Sequence, residues 1–155
     1  MHGYLALLCL LITAALLFSG CGLLIKNPGI DVKDVAIESL DFSNIGLLVT
    51  LSIDNPNPIG INFKSINFDV FYQKGNEWVF ISHGEKGSFN IKPGMNEVTV
   101  PVSIKTSAIP GALVGALARG EVTLQVNGTA SPDFFGIAPQ VPFSKVTTIP
   151  LKLGG

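Results

Sequence analysis

The sequence predicts an all-β domain, a sandwich of two antiparallel sheets with one α-helix, and three observations carry that prediction. Apolar residues recur at every second position in several separate runs, so one face of each run is turned to a core. Gly, Pro and Asn punctuate the chain between those runs at the spacing of short strands. Residues 21–155 also make one domain of ordinary size, long enough to bury roughly two thirds of its unfolded surface without a disulfide or metal staple.

Residues 1–20 read as a signal peptide of the lipoprotein type. The run from Tyr4 to Phe18 carries no charge and has the length of a secretory apolar region. Phe18-Ser19-Gly20-Cys21 then sets small residues before a cysteine, which resembles a lipobox with Cys21 as the lipidated first residue of the mature chain. A second reading stays open, an uncleaved single-pass anchor from Tyr4 to Ile25, near the ~20 residues a helix needs to cross a bilayer. Lys26 and Lys33 would then hold the domain on the cytoplasmic side. The expected location is a membrane-anchored, extracytoplasmic one in the first case and a single-pass membrane protein in the second. Cys9 lies in the leader, so downstream of Cys21 there is no thiol for a disulfide, a zinc ligand or a nucleophile.

Residues 21–32 form an expected linker, and the domain proper is expected over 33–155. Val49, Leu51 and Ile53 alternate with Thr50, Ser52 and Asp54 and predict a strand from about Leu47 to Asp54. Ile66, Phe68, Val70 and Tyr72 predict a second strand, and Val98, Val100, Val102 and Ile104 a third. Val122, Leu124 and Val126 repeat the pattern. Weaker runs, Val35 to Phe42, Trp78 to Ser82, Gly87 to Ile91 and Val141 to Leu153, bring the count to about seven strands. Ser107 to Arg119 changes period: Ile109, Leu113, Val114 and Leu117 share a helical stripe, with Ser107 as N-cap, Pro110 in the first turn and Gly120 at the C-terminus.

Between these elements, Gly75-Asn76 reads as a hairpin loop and Lys92-Pro93-Gly94-Met95-Asn96 as a turn. Pro101 removes a ladder donor, which asks for an edge strand or a solvent-facing N position. Asp54-Asn55-Pro56-Asn57-Pro58 must stop strand pairing, because each proline drives its preceding Asn into an extended conformation and lacks a donor. Asn127-Gly128-Thr129 is a formal glycosylation sequon that a turn explains more simply.

The residues offer little chemistry. Net charge is −1, with 10 Lys and Arg against 11 Asp and Glu spread singly, so no basic patch invites a nucleic acid. His83 is the one histidine after the leader, and Ser82-His83-Gly84 reads as a loop. The carboxylate pairs Asp31 with Asp34 and Glu38 with Asp41 are expected to face water. Phe134, Phe135 and Ile137 stand in an apparent loop, where they are expected to plug the sandwich end; the alternative is an apolar contact with lipid or an unfolding protein.

Asn55-Pro56-Asn57-Pro58, the Ile-rich strand that follows through Tyr72, Ile81-Ser82-His83-Gly84, and Pro101-Val102-Ser103-Ile104 before the helix together resemble the water stress and hypersensitive response (WHy) domain of the late embryogenesis abundant type 2 family. The likeness spans about Val35 to Leu153. It implies a sandwich similar in outline to fibronectin type III domains and a role in tolerance of desiccation. It implies no catalytic residues, cofactor or metal site; only the Asn-Pro motif carries over, onto Asn55, Pro56, Asn57 and Pro58. The function expected is non-enzymatic protection of envelope proteins or membranes, with the membrane and partly unfolded client proteins as partners. The alternative is an envelope binding or assembly module for a protein or a small apolar ligand.

Overall fold

The structure is a computed structural model that describes residues 25–41, 43–108, 111 and 120–150. Eight strands follow one another: β1 (Gly29–Leu40), β2 (Asn44–Asn55), β3 (Ile61–Lys74), β4 (Glu77–Lys86), β5 (Phe89–Ile91), β6 (Gly94–Lys105), β7 (Glu121–Asp133) and β8 (Val141–Pro150). They build two antiparallel sheets, one in the order β1-β2-β6 and the other in the order β4-β3-β7-β8, with β5 added on β3. The sandwich expected from the alternating pattern is therefore present, with eight strands where about seven were expected. Each of the four strong and four weaker runs holds one strand, and the shortest, the three-residue β5, is a fragment of the run expected from Gly87 to Ile91.

The core lies between the sheets. Leu47, Val49, Leu51 and Ile53 of β2, with Val98, Val100, Val102 and Ile104 of β6, face Phe63, Ile66, Phe68, Val70 and Tyr72 of β3 and Val122, Leu124 and Val126 of β7. These are the apolar positions of the alternating runs, since a period of two delivers every second side chain to one face. Strand β1 starts at Gly29, inside the expected linker, and carries register shifts between Val32 and Asp34 and between Ile37 and Ser39. Those irregularities blur its alternation, which is why the sequence marks only its second half.

Two glycine positions correct the sequence reading. Ser82-His83-Gly84 lies within β4 and is not a loop, and Asn127-Gly128 lies within β7 and is not a turn. Each glycine makes room for an aromatic ring: a Cβ on Gly84 would collide with the Phe68 ring, and one on Gly128 would sit 2.5 Å from Phe143 Cζ and 2.6 Å from the Asn67 carbonyl oxygen. Phe68 and Phe143 then meet edge to face with centroids 6.3 Å apart. By contrast, the Gly75-Asn76 hairpin is as expected, joining Lys74 to its partner Glu77 with Gly75 at φ 61°. Pro101 sits on β6, an edge strand, as its missing donor requires.

The expected helix, with its stripe Ile109, Leu113, Val114 and Leu117, lies outside the described residues, and Thr106–Ala108 form a short 3₁₀ turn at the end of β6. Thus the chain has two distinguishable ends. One end holds Gly29, Asn55, Ile61, Ile91, Gly94 and Asp133; the other holds the β3–β4 hairpin, Lys105, Glu121 and Pro150.

A Gly128→Ala variant should lose about 2 kcal/mol of stability, because its methyl group meets the Asn67 backbone and the Phe68 Cβ as well as the Phe143 ring. Urea unfolding checks this; an unchanged midpoint would show that the Phe68 and Phe143 rings are not locked against β7.

Candidate functional site

The Asn-Pro corner is built as a clamp. Pro56 and Pro58 have no N–H to continue a ladder, so β2 ends at Asn55 and its neighbour amides turn inward. Asn55 and Asn57 are 1% and 5% exposed, and burial of this kind demands that every polar atom find a partner. Asn55 Nδ2 donates to the Ile59 carbonyl at 2.8 Å and to the Lys92 carbonyl at 3.2 Å. Its Oδ1 accepts from the Asn57 backbone N–H at 3.1 Å and from Asn57 Nδ2 at 3.0 Å. Asn57 in turn takes the Lys26 N–H on its Oδ1 at 2.8 Å and gives Nδ2 to the Lys26 carbonyl at 2.8 Å. The side chain of Asn57 thus imitates a β-partner for residue 26. Sequence reasoning found the corner but missed these partners, which are far away along the chain.

Beside the clamp stands a tight turn. Phe134 and Ile137 form a bridge, with N–H to carbonyl bonds of 2.8 and 3.1 Å in the two directions. Phe135 and Gly136 between them both have positive φ, 54° and 93°, the pattern of a type I′ turn. Asp133 Oδ1 accepts the Gly136 N–H at 2.7 Å. The expected plug divides: Phe134 packs against the core, whereas Phe135 is 87% and Ile137 74% exposed. A pocket of ≈ 220 Å³ lies between this turn and the clamp, lined among others by Ile25, Asn57, Ile59, Phe134 and Phe135.

The outward face of the larger sheet carries the remaining polar candidates. His83 Nδ1 and Asp69 Oδ1 are 2.8 Å apart on paired positions of β4 and β3, half-exposed. In the same row Ser144 Oγ donates to Asn127 Oδ1 at 2.6 Å, so the sequon asparagine is engaged within the sheet. Ser82 Oγ instead donates to the Ser103 carbonyl of the other sheet at 2.7 Å, away from the histidine. Of the carboxylate pairs, Asp31 meets Lys145 Nζ at 3.2 Å, and Asp41 Oδ1 accepts the N–H groups of Ser43 and Asn44, both at 2.7 Å, to close the β1–β2 turn. Among the described residues no three His, Cys, Asp or Glu side chains are placed to hold a metal ion. Cys21 lies outside the described residues.

Nearer the β3–β4 hairpin the same outward face turns apolar. Phe80 pairs with Phe71, Phe71 with Gln125, and Gln125 with Val146, so one row crosses all four strands of the sheet. Phe80 is 54% exposed; Trp78 and Val146 are exposed as well, and Phe71 meets Phe80 edge to face at 5.9 Å.

The fold is thus an antiparallel two-sheet sandwich whose Asn-Pro motif residues form a structural clamp. The family comparison agrees with that outline: the late embryogenesis abundant protein family (type 2) matches residues 50–146, more than half of the chain, and the chain belongs to that family. An uncharacterized protein of Methanocaldococcus jannaschii is 28% identical over 138 residues, which are 89% of this chain and 77% of that protein. The fold is similar to a solution structure from Arabidopsis thaliana, with a TM-score of 0.66 at 19% identity over 85% of this chain and 87% of that one. It is also similar to a late embryogenesis abundant protein in solution, with a TM-score of 0.52 at 18% identity over 97% of this chain and 86% of that one. A crystal structure from Archaeoglobus fulgidus gives 0.56 at 12% identity over 81% and 97%.

Asn57→Ala should destabilise the domain by about 2 kcal/mol, since it leaves buried donors and acceptors unpaired. Hydrogen exchange of the Lys26 amide should accelerate with it; an unchanged rate would mean that the clamp does not hold the entering chain. Phe135→Asn should do the opposite and stabilise by about 1 kcal/mol, because asparagine tolerates the left-handed region that a phenylalanine occupies there under strain. Thermal unfolding of the two variants separates these signs.

Proposed function

We propose that this chain is a non-enzymatic, membrane-tethered stress-protection protein with a WHy-type domain, which shields neighbouring envelope proteins as water is lost. The observation that carries this reading is the apolar row on the outward face of the larger sheet, where Phe71, Phe80 and Val146, with Trp78 beside them, stand on a four-stranded hydrogen-bonded platform. A partly unfolded neighbour exposes apolar groups of its own. Burying those groups against the row removes them from other unfolded chains, which is the step that leads to aggregation. Membership in the late embryogenesis abundant family supports the stress role.

The interior favours contact at the surface over storage of a small ligand. The apolar space between the sheets, lined by Ile37, Leu47, Ile81, Val122 and their neighbours, measures ≈ 20 Å³, room for about one water. Tethering is supported by the uncharged run from Tyr4 to Phe18 and by Cys21 after Ser19-Gly20, with an extracytoplasmic, lipid-anchored domain as the result.

A client enzyme dried with the full chain in detergent should keep more activity on rehydration than one dried with an inert globular protein. Trp78→Ser with Phe80→Ser should remove most of that advantage without unfolding the domain, since both side chains are on the surface. Equal protection by the variant and the wild type would refute the row as the contact surface. Intact mass of the membrane-extracted protein tests the anchor: residues 21–155 plus acyl groups, lost in Cys21→Ala, is the expected result. An unprocessed, unlipidated chain in both would favour the single-pass anchor.

A further inference from the structure

The apolar side chains that the outward row does not account for gather at the other end of the sandwich. Ile59, Met95, Phe135 and Ile137 are all exposed there, around the clamp and the type I′ turn. This is also the end where the chain enters. Lys26 is bonded to Asn57 on both its N–H and its carbonyl, and Ile25 lines the same pocket as Phe134 and Phe135. Since each residue spans at most ~3.6 Å, Cys21 lies no further than about 14 Å of extended chain from Ile25. In the single-pass alternative the membrane-crossing run ends at Ile25 itself. Under both anchors, then, the domain is held against the membrane by this end.

We infer that this end docks on the lipid bilayer that holds the chain's own tether, with Phe135 and Ile137 inserted at the boundary between headgroups and acyl chains. The inference rests on the tethering proposed above and adds an orientation to it. A phenyl ring and a branched aliphatic chain on one tight turn form an apolar tip in which the Phe134–Ile137 bridge and the Asp133 cap already bond the Gly136 and Ile137 N–H groups, so insertion does not strip these two of water. Lys26 and Lys92, both exposed and both bonded through their backbone to the clamp asparagines, bring two cations to this end for lipid phosphates to meet. The turn also places a phenylalanine in the left-handed region, at a position where asparagine or glycine would relieve the backbone. Strain of this kind is what a side chain kept for contact, and not for the turn, brings with it. Docking here turns the Trp78–Phe80 row away from the bilayer, towards neighbouring proteins.

The single tryptophan makes the test direct, because Trp78 lies near the far end. The full chain is reconstituted into phosphatidylcholine–phosphatidylglycerol vesicles containing brominated lipid, and retention is measured after a carbonate wash. In a Trp78→Phe, Phe135→Trp variant, the indole should lose about half of its emission, as expected for a group lying ~5–10 Å deep. Wild-type Trp78 should be nearly unquenched, and adding Ile137→Ser should reduce the quenching at position 135. A chain washed off the vesicles would overturn tethering and docking together. A retained chain whose indole at 135 is unquenched and solvated would leave the tether standing and overturn docking alone. An unquenched but blue-shifted indole would mean that a second copy or another protein covers the turn, which also overturns docking on lipid.

Discussion

The amide pair Asn55–Asn57 is the constraint on which the arrangement of the two sheets depends at one end. Asn55 closes β2, in the smaller sheet, and its side chain bonds the Ile59 carbonyl on the way to β3, in the larger one. It also bonds the Lys92 carbonyl, which lies on the return from β5 to β6. Asn57 adds the entering chain at Lys26. Two crossings between sheets and the first residues before β1 are therefore held by a single buried hydrogen-bonded unit. An apolar core alone would tolerate sliding of one sheet over the other, because hydrophobic burial has no direction; the amides fix the register of the crossings, because an unpaired one would be left without water.

This clamp also gives the molecule polarity. The entering chain at Lys26 is secured where the Phe135 turn projects, and the outward aromatic row lies towards the β3–β4 hairpin. Side by side along the larger sheet, one row is polar, with His83, Asp69, Asn127 and Ser144, and the next apolar, with Phe80, Phe71, Gln125 and Val146. The polar row uses up its groups on one another through the His83–Asp69 and Ser144–Asn127 contacts. The neighbouring row leaves mainly apolar surface exposed on that face, at Trp78, Phe80 and Val146.

How much of this was legible depended on whether a residue's role was local. Strands β2, β3, β6 and β7 could be read because one face of each is buried, so the period of two is strict. Strand β1 was read short because its bulges break the alternation. Gly84 and Gly128 misled for a different reason: neither has a positive φ, and each lies under a ring from a neighbouring strand, Phe68 of β3 over Gly84 and Phe143 of β8 over Gly128. Glycine in sequence signals a turn or a close approach alike, and only the partner strand tells which. The Asn-Pro corner was visible through its prolines, yet the bonds to Lys26 and Lys92 had no local signature. The split of Phe134 from Phe135 depended on a backbone turn that phenylalanine disfavours, so sequence pattern pointed away from it.

A protein proposed to act as water disappears meets a physical difficulty, since the hydrophobic effect that packs its own core is a property of water. The interactions that survive drying are those that do not need the solvent. Hydrogen bonds are stronger in a low dielectric, provided that each donor and acceptor is matched. In this fold the antiparallel ladders run nearly without interruption from β1 to β6 and from β4 to β8, and the buried Asn55 and Asn57 amides are fully engaged. As water leaves, the core loses part of its driving force while the matched hydrogen bonds of the ladders and the clamp gain strength. The proposed role therefore asks of this sandwich one ordering of stabilities, protector above client at low water activity, and the directional bonds of the ladders and the clamp are the part of the fold on which that ordering would rest.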